Sequence, residues 1–163
     1  MTKFLPVTLA ALAAGGMVIA TPALAQYRQT ISNDIAKCRS GSGPSVLVKV
    51  NNVKNSDGTV RVQSYRGTKT DWLAKGKWIN RIEAPAKAGT MTFCVPVPAS
   101  GQYGIAVRHD VNRNGKTDLR EDGGGMSNNP SINVFNMGTP SYTKTAFPVG
   151  NSVKSININM RYM

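Results

Sequence analysis

Residues 153–162 read VKSININMRY. From Ile156 onward every second residue is apolar (Ile156, Ile158, Met160, Tyr162), and Asn157, Asn159 and Arg161 stand between them. A period of two marks a strand with one face buried and one face wet. The same pattern recurs toward the N-terminus. Tyr103, Ile105, Val107 and His109 alternate with small or polar partners, TMTFCVPV spans Thr90 to Val97, and Trp78 to Glu83 is a further candidate. Val60 and Val62 alternate with Arg61 and Gln63 toward Tyr65, and Val46, Val48 and Val50 share a face ahead of the turn NSDG. TKTDWLAKGKW offers one helical turn capped by Thr70, and no stretch has the periodicity of a long amphipathic helix. About seven strands spaced roughly every ten residues predict an all-β fold, an antiparallel β-sandwich. No internal repeat breaks the chain, and 163 residues are one domain's worth. The sandwich is expected over residues 45–163, after a polar lead-in at 26–44 that ends in SGSGP.

The first 25 residues read differently. Lys3 supplies a positive start, Phe4 to Ala20 are largely apolar, and TPALA places Ala23 and Ala25 where a signal peptidase needs small residues. A signal peptide over residues 1–25 is therefore expected, which sends the chain to the periplasm or beyond. No other segment approaches the ~18 apolar residues of a spanning helix. In an oxidising compartment an even pair of cysteines defaults to a disulfide, so Cys38 and Cys94 are expected to be joined.

Composition limits the chemistry. One His and two Cys exclude a His-rich or Cys-rich metal site and leave few parts for catalysis. His109 is the one candidate general base, with Asp110 or Ser127 as partner. Adjacent strand residues point to opposite faces, which argues against the first pairing. No catalytic residue is assigned, and a non-enzymatic protein is expected. A formal charge of +12 suits an anionic partner. The Lys and Arg residues are scattered, with no basic arm and no nucleic-acid motif. Outside the cytoplasm the matching partners are lipopolysaccharide, phospholipid head groups or acidic polysaccharide; no specific nucleic acid is expected.

One loop carries ion-binding chemistry. DVNRNGKTDLRE, Asp110 to Glu121, matches the calcium-loop pattern D-x-[DN]-x-[DN]-G-x5-E. Asp110, Asn112, Asn114 and Asp118 offer side-chain oxygens, Lys116 its carbonyl, and Glu121 a carboxylate at the twelfth place. Gly115 permits the sharp turn. A strand rather than a helix leads into the loop, so it is no EF-hand. Arg113, Lys116 and Arg120 weaken its field, which places any Ca2+ affinity in the weak extracellular range. The competing reading is an Asx-rich turn in which Asn and Asp satisfy backbone N–H groups without metal.

YGIAVRHDVNRNGKTD, GMSNN at residues 125–129 and GTPSYTKTAF at 138–147 together resemble the bacterial domain of unknown function 2141 family. The resemblance covers about Val46 to Met160. It implies a secreted sandwich of the prealbumin or immunoglobulin-like type, and it carries no established activity or ligand. Met126 stands where the family has an aromatic residue, and Thr143 and Lys144 where acidic residues are frequent. Three functional expectations follow. The first is a calcium-stabilised binding or structural module at the bacterial envelope. The others are an accessory subunit of a larger envelope complex and a small periplasmic hydrolase using His109.

Overall fold

The computed structural model describes residues 27–132 and 138–163. The expected signal peptide lies outside the described residues. Ten strands follow one another: β1 Gln29–Thr30, β2 Ser45–Val53, β3 Thr59–Arg66, β4 Trp78–Pro85, β5 Gly89–Pro96, β6 Gly101–Asp110, β7 Gly123–Met126, β8 Phe147–Val149, β9 Val153–Asn159 and β10 Arg161–Tyr162. A 3-10 turn, Ile35–Cys38, and one helical turn, α1 Tyr142–Thr145, complete the described elements. Among the described residues no helix is long and apolar enough to cross a membrane.

The strands form two sheets. The large one runs β1-β4-β3-β6-β7-β10, with β8 paired to the other end of β6, and the small one runs β5-β2-β9. The expected all-β, two-sheet class holds. Two pairings depart from an all-antiparallel arrangement, because β1 lies parallel to β4 and β9 parallel to β2. Strand direction is invisible to periodicity, since side chains alternate the same way in both cases.

Alternation builds the core. Val46, Val48 and Val50 of β2 and Phe93 and Val95 of β5 are buried in the cluster they share with Val60 and Val62 of β3, Ile82 of β4 and Ile105 of β6. Burying one such side chain is worth about 1.5–3 kcal/mol. The C-terminal run read as one strand is two, because the chain leaves the small sheet at Met160, whose N–H donates to the Asn51 carbonyl, and enters the large sheet as β10. Residues 67–77 hold hydrogen-bonded turns and no helix, and Thr68 rather than Thr70 accepts the Asp71 N–H.

Both edges of the small sheet are closed by an asparagine. Asn33 donates to the Thr92 carbonyl at 2.9 Å and accepts from the Cys94 N–H at 3.0 Å on β5. Asn129 does the same on β9, donating to the Asn157 carbonyl and accepting from the Asn159 N–H. Each amide replaces one rung of a neighbouring strand and blunts an edge that would otherwise pair with another chain. Asn33 sits in the lead-in, which is thereby tied to the sandwich along with β1.

Cys38 and Cys94 form a disulfide across 56 residues, with Cα atoms 5.7 Å apart. Closing a loop of that length restricts the unfolded chain by about 4 kcal/mol. The Cys38→Ser/Cys94→Ser double variant should lose up to that amount in urea unfolding, with no change in the circular dichroism of the folded state. Unchanged stability would show that Asn33 and β1 hold the lead-in without the bond.

Candidate functional site

The outer face of the large sheet, turned away from the small one, is where charge collects. Register aligns one row across five strands. Glu83 on β4 faces Arg61 on β3, Arg61 faces Arg108 on β6, Arg108 faces Gly124 on β7, and Gly124 faces Arg161 on β10. Neighbouring strands lie about 4.8 Å apart, so guanidinium groups crowd. Arg61 donates to Glu83 at 2.6 Å, and Arg81 approaches the same carboxylate at 3.8 Å. Burial, and after it the Arg61 cation, holds the Arg81 guanidinium below its ordinary value. Trp72 lies over Gly104 in the same face, where a Cβ would meet its ring at 2.5 Å. Its Nε1–H donates to the Pro140 carbonyl, and its ring meets Tyr65 edge-on at 5.5 Å.

A cavity of about 730 Å³ opens on this face, with Arg61, Arg108, Gly124, Met126, Arg161 and Tyr162 among its lining residues. One wall is the 111–122 loop, through Thr117, Leu119 and Asp122. Leu119 and Met163, each 53% exposed, stand at its rim.

The loop contains the ion-site residues expected from sequence. Asp110 is buried at its root and uses Oδ2 to accept from the Gly115 N–H at 3.0 Å and from Arg108 at 3.1 Å. Asn112 and Asn114 each accept the backbone N–H two residues on. Both donate their amide NH2 to Asp118, and Asn112 also donates to Glu121 at 2.8 Å. These donors, Asn112 first, hold the Asp118 carboxyl below the usual carboxylate range. Lys116 contributes its N–H, to Asn114. The structure thus brings Asp110, Asn112, Asn114, Lys116, Asp118 and Glu121 into one closed loop.

The carboxylates of this loop are met by N–H donors, so a hard cation would have to displace the Asn112 and Asn114 amide NH2 groups from Asp118 and Glu121. Oδ1 of Asp110 is buried with no hydrogen-bond partner, and Asp118 and Glu121 use only Oδ2 and Oε2 in the bonds described. Among the described residues no three His, Cys, Asp or Glu side chains converge closely enough to hold a metal alone. Asn112, Asn114 and carbonyl oxygens would have to complete the shell, as in oxygen-ligand sites generally.

Sequence reading passed over the residue that holds the loop shut. Asp122, buried, accepts the N–H groups of Val111 and Asp118, both at 3.0 Å. The concentration of acids from 110 to 122 was the signal; the calcium pattern stops one residue short of it. Arg108 was also missed. It clamps the other flank, donating to Asp110, to the Gly115 carbonyl and to the Thr117 hydroxyl.

His109 lies on the opposite face of β6, fully buried. Its Nε2 is 2.6 Å from the Asp57 carbonyl, which can only accept, so that nitrogen carries the proton. Nδ1 then accepts from the Tyr162 hydroxyl at 2.8 Å, whose oxygen accepts the Lys54 N–H. Both ring nitrogens are engaged in fastening β10 and the 54–58 turn to β6. Ser127 is elsewhere, accepting the Ile105 N–H and donating to the Thr145 carbonyl, while Asn128 donates to the carbonyls of Lys144 and Ala146. With Asn129 on β9, the SNN triplet stitches three parts of the fold together.

These features define a two-sheet β-protein with a cationic outer face, a cavity on that face and an Asx-rich loop forming one of its walls. The chain belongs to the family described as uncharacterized protein conserved in bacteria (DUF2141), which it matches over residues 48–157. No curated protein and no solved structure matches it.

Because the folded value of Asp118 lies below that of the unfolded chain, its contribution is complete above the ordinary carboxylate range. It fades as pH falls through the lowered folded value. Carboxyl resonances followed by NMR should show Asp118 titrating at higher pH in Asn112→Ala than in the parent protein. Identical midpoints would remove the amide as the cause.

Proposed function

We propose that this protein is a non-enzymatic binding module of the bacterial envelope, acting in the periplasm or outside the cell. Its outer sheet face receives an anionic envelope component. The observation that carries it is the cavity lined by Arg61, Arg108 and Arg161. Arg61 pairs with Glu83 and Arg108 with Asp110, while Arg161 has no carboxylate within ion-pair distance among the described residues. The one side-chain carboxylate among the described lining residues, Asp122, accepts two backbone amides. Cations set across neighbouring strands repel one another, and an anion laid over them relieves the repulsion. The Arg fork matches phosphate and carboxylate oxygens. Export is supported by the N-terminal leader pattern and by the Cys38–Cys94 disulfide. The engagement of both His109 nitrogens supports a structural rather than a hydrolytic histidine.

In this reading Ca2+ is an accessory. Weak binding at the 110–121 loop, through Asp110, Asp118 and Glu121 with the Asn112 and Asn114 amides, stiffens the wall that holds Thr117 and Leu119. The unpartnered Oδ1 of Asp110 is what favours it.

The protein should co-sediment with phosphatidylglycerol vesicles and not with phosphatidylcholine vesicles, and salt should release it. Equal, salt-insensitive behaviour on both would sink the reading. For the loop, millimolar Ca2+ should raise the unfolding temperature by a few degrees over chelator, a stabilisation of about 1 kcal/mol or less. The rise should vanish in Glu121→Gln. The same melting curve in calcium and in chelator would leave the loop an Asx-rich turn.

A further inference from the structure

The three consecutive glycines of β7 have unequal reasons to be there. A Cβ on Gly123 would strike the Tyr162 ring at 2.3 Å, and one on Gly125 would strike Ile158 at 2.7 Å. Both point into the sandwich, where the packing leaves no room. Gly124 points the other way, onto the outer face, and a Cβ there would meet nothing within 4 Å. Neither packing nor a left-handed backbone demands glycine at this position. Glycine weakens a strand interior, having no side chain to pack and more backbone freedom to lose.

What the missing side chain leaves is a gap in the row of charge. Gly124 is the register partner of both Arg108 and Arg161, so the open floor lies between two guanidinium-bearing positions. Arg108 is offset by Asp110 at 3.1 Å and Arg61 by Glu83 at 2.6 Å. Among the described residues no carboxylate comes within ion-pair distance of Arg161. Arg161, whose guanidinium reaches the Asn129 carbonyl at 3.5 Å, thus stands without a counter-charge on the strand beside the empty floor.

The surroundings of this gap are apolar. Met126 follows on the same outward face of β7. Leu119 and Met163 stand exposed at the rim, two of the three large hydrophobic residues most open to solvent among those described. Leu119 and Met163 give the cavity mouth an apolar side next to the cationic row. A volume of about 730 Å³ falls in the range that encloses a single small ligand, roughly 300–1,000 Å³.

We propose that this cavity is a site for a single-chain anionic amphiphile, with its phosphate or carboxylate head over Gly124 between Arg108 and Arg161 and its tail against Met126, Leu119 and Met163. The proposal rests on the anion-binding reading of this face and narrows it from a surface to a seat. The head gives Arg161, which already donates to the Asn129 carbonyl at 3.5 Å, the counter-charge it lacks, and the tail covers Leu119 and Met163, which otherwise face water, beside the buried Met126. An inorganic anion would use only the first of these, and a neutral surfactant only the second.

The test uses dodecyl phosphate below its micelle concentration, titrated calorimetrically into the intact protein. Inorganic phosphate and a neutral dodecyl glycoside are measured beside it, and phosphatidylglycerol vesicles in a separate assay. Saturable one-to-one binding of dodecyl phosphate is expected, at least tenfold tighter than either control. Gly124→Leu fills the gap without removing a charge. It should weaken dodecyl phosphate at least tenfold while the melting temperature holds. Gly124→Ala, which adds one methyl to open space, should fall between and serves if the leucine variant folds poorly. Arg161→Gln should weaken dodecyl phosphate and leave the neutral glycoside unchanged. Parent-like dodecyl phosphate binding in both glycine variants, with vesicle binding intact, overturns the seat and leaves the anionic face standing. Loss of vesicle binding in the parent protein overturns the face itself. Inorganic phosphate binding as tightly as the amphiphile overturns the tail site.

Discussion

The pleat of β6 ties the core to the outer face of the large sheet, because alternate side chains of one strand serve both. Along Gly101–Asp110, one set of side chains enters the sandwich and the other stands on the outer face. Tyr103, Ile105 and Val107 are core, and His109 fastens the C-terminal strand from the same side. Gly104 lets Trp72 lie close, Ala106 keeps the cavity floor low, Arg108 belongs to the row of cations, and Asp110 roots the loop. A shift of one residue in this register would exchange the two sets, driving Arg108 into the core and Val107 into water. The core therefore sets the site. The tight apolar packing on one face fixes where the charges emerge on the other.

The loop and the cavity share parts. Arg108 holds the loop through Asp110, Gly115 and Thr117 and lines the cavity with the same side chain. Asp122 closes the loop and lies in the cavity wall. Arg108 and Asp122 are therefore common to both surfaces, and a change in the loop reaches the cavity wall through them. The triplet Ser127, Asn128 and Asn129 works differently. It spends its polar atoms on backbone groups of β6, α1 and β9, and so serves the fold rather than a ligand.

Much of this was legible from local pattern. The alternation at Ile156, Ile158 and Met160, at Tyr103, Ile105 and Val107, and at Val46, Val48 and Val50 marked strands with a buried face, because a strand's two faces repeat every two residues whatever lies beside it. Spacing in DVNRNGKTDLRE pointed to a calcium loop or, as the competing reading, an Asx-rich turn, and the structure shows Asn112, Asn114 and Asp110 accepting backbone N–H groups two to five residues away. Asp122 escaped because a motif describes positions, and its role is to close the loop by bonds to Val111 and Asp118. His109 could be doubted as a base from strand geometry, but its partners, Asp57 and Tyr162, lie more than fifty residues away.

Local pattern in the sequence was enough for the all-β class, the strand faces and the Asn- and Asp-rich loop, all properties carried by neighbours along the chain. The parallel pairing of β1 and β9, the division of the last strand between two sheets and the closing of opposite edges by Asn33 and Asn129 arise only when distant segments meet. The site arises the same way. Arg61, Arg108, Gly124 and Arg161 are scattered over a hundred residues and form one row only because four strands pair in one register. Register is fixed by the burial of valines and isoleucines on the far side of the sheet, a cooperative choice that no local stretch of sequence contains.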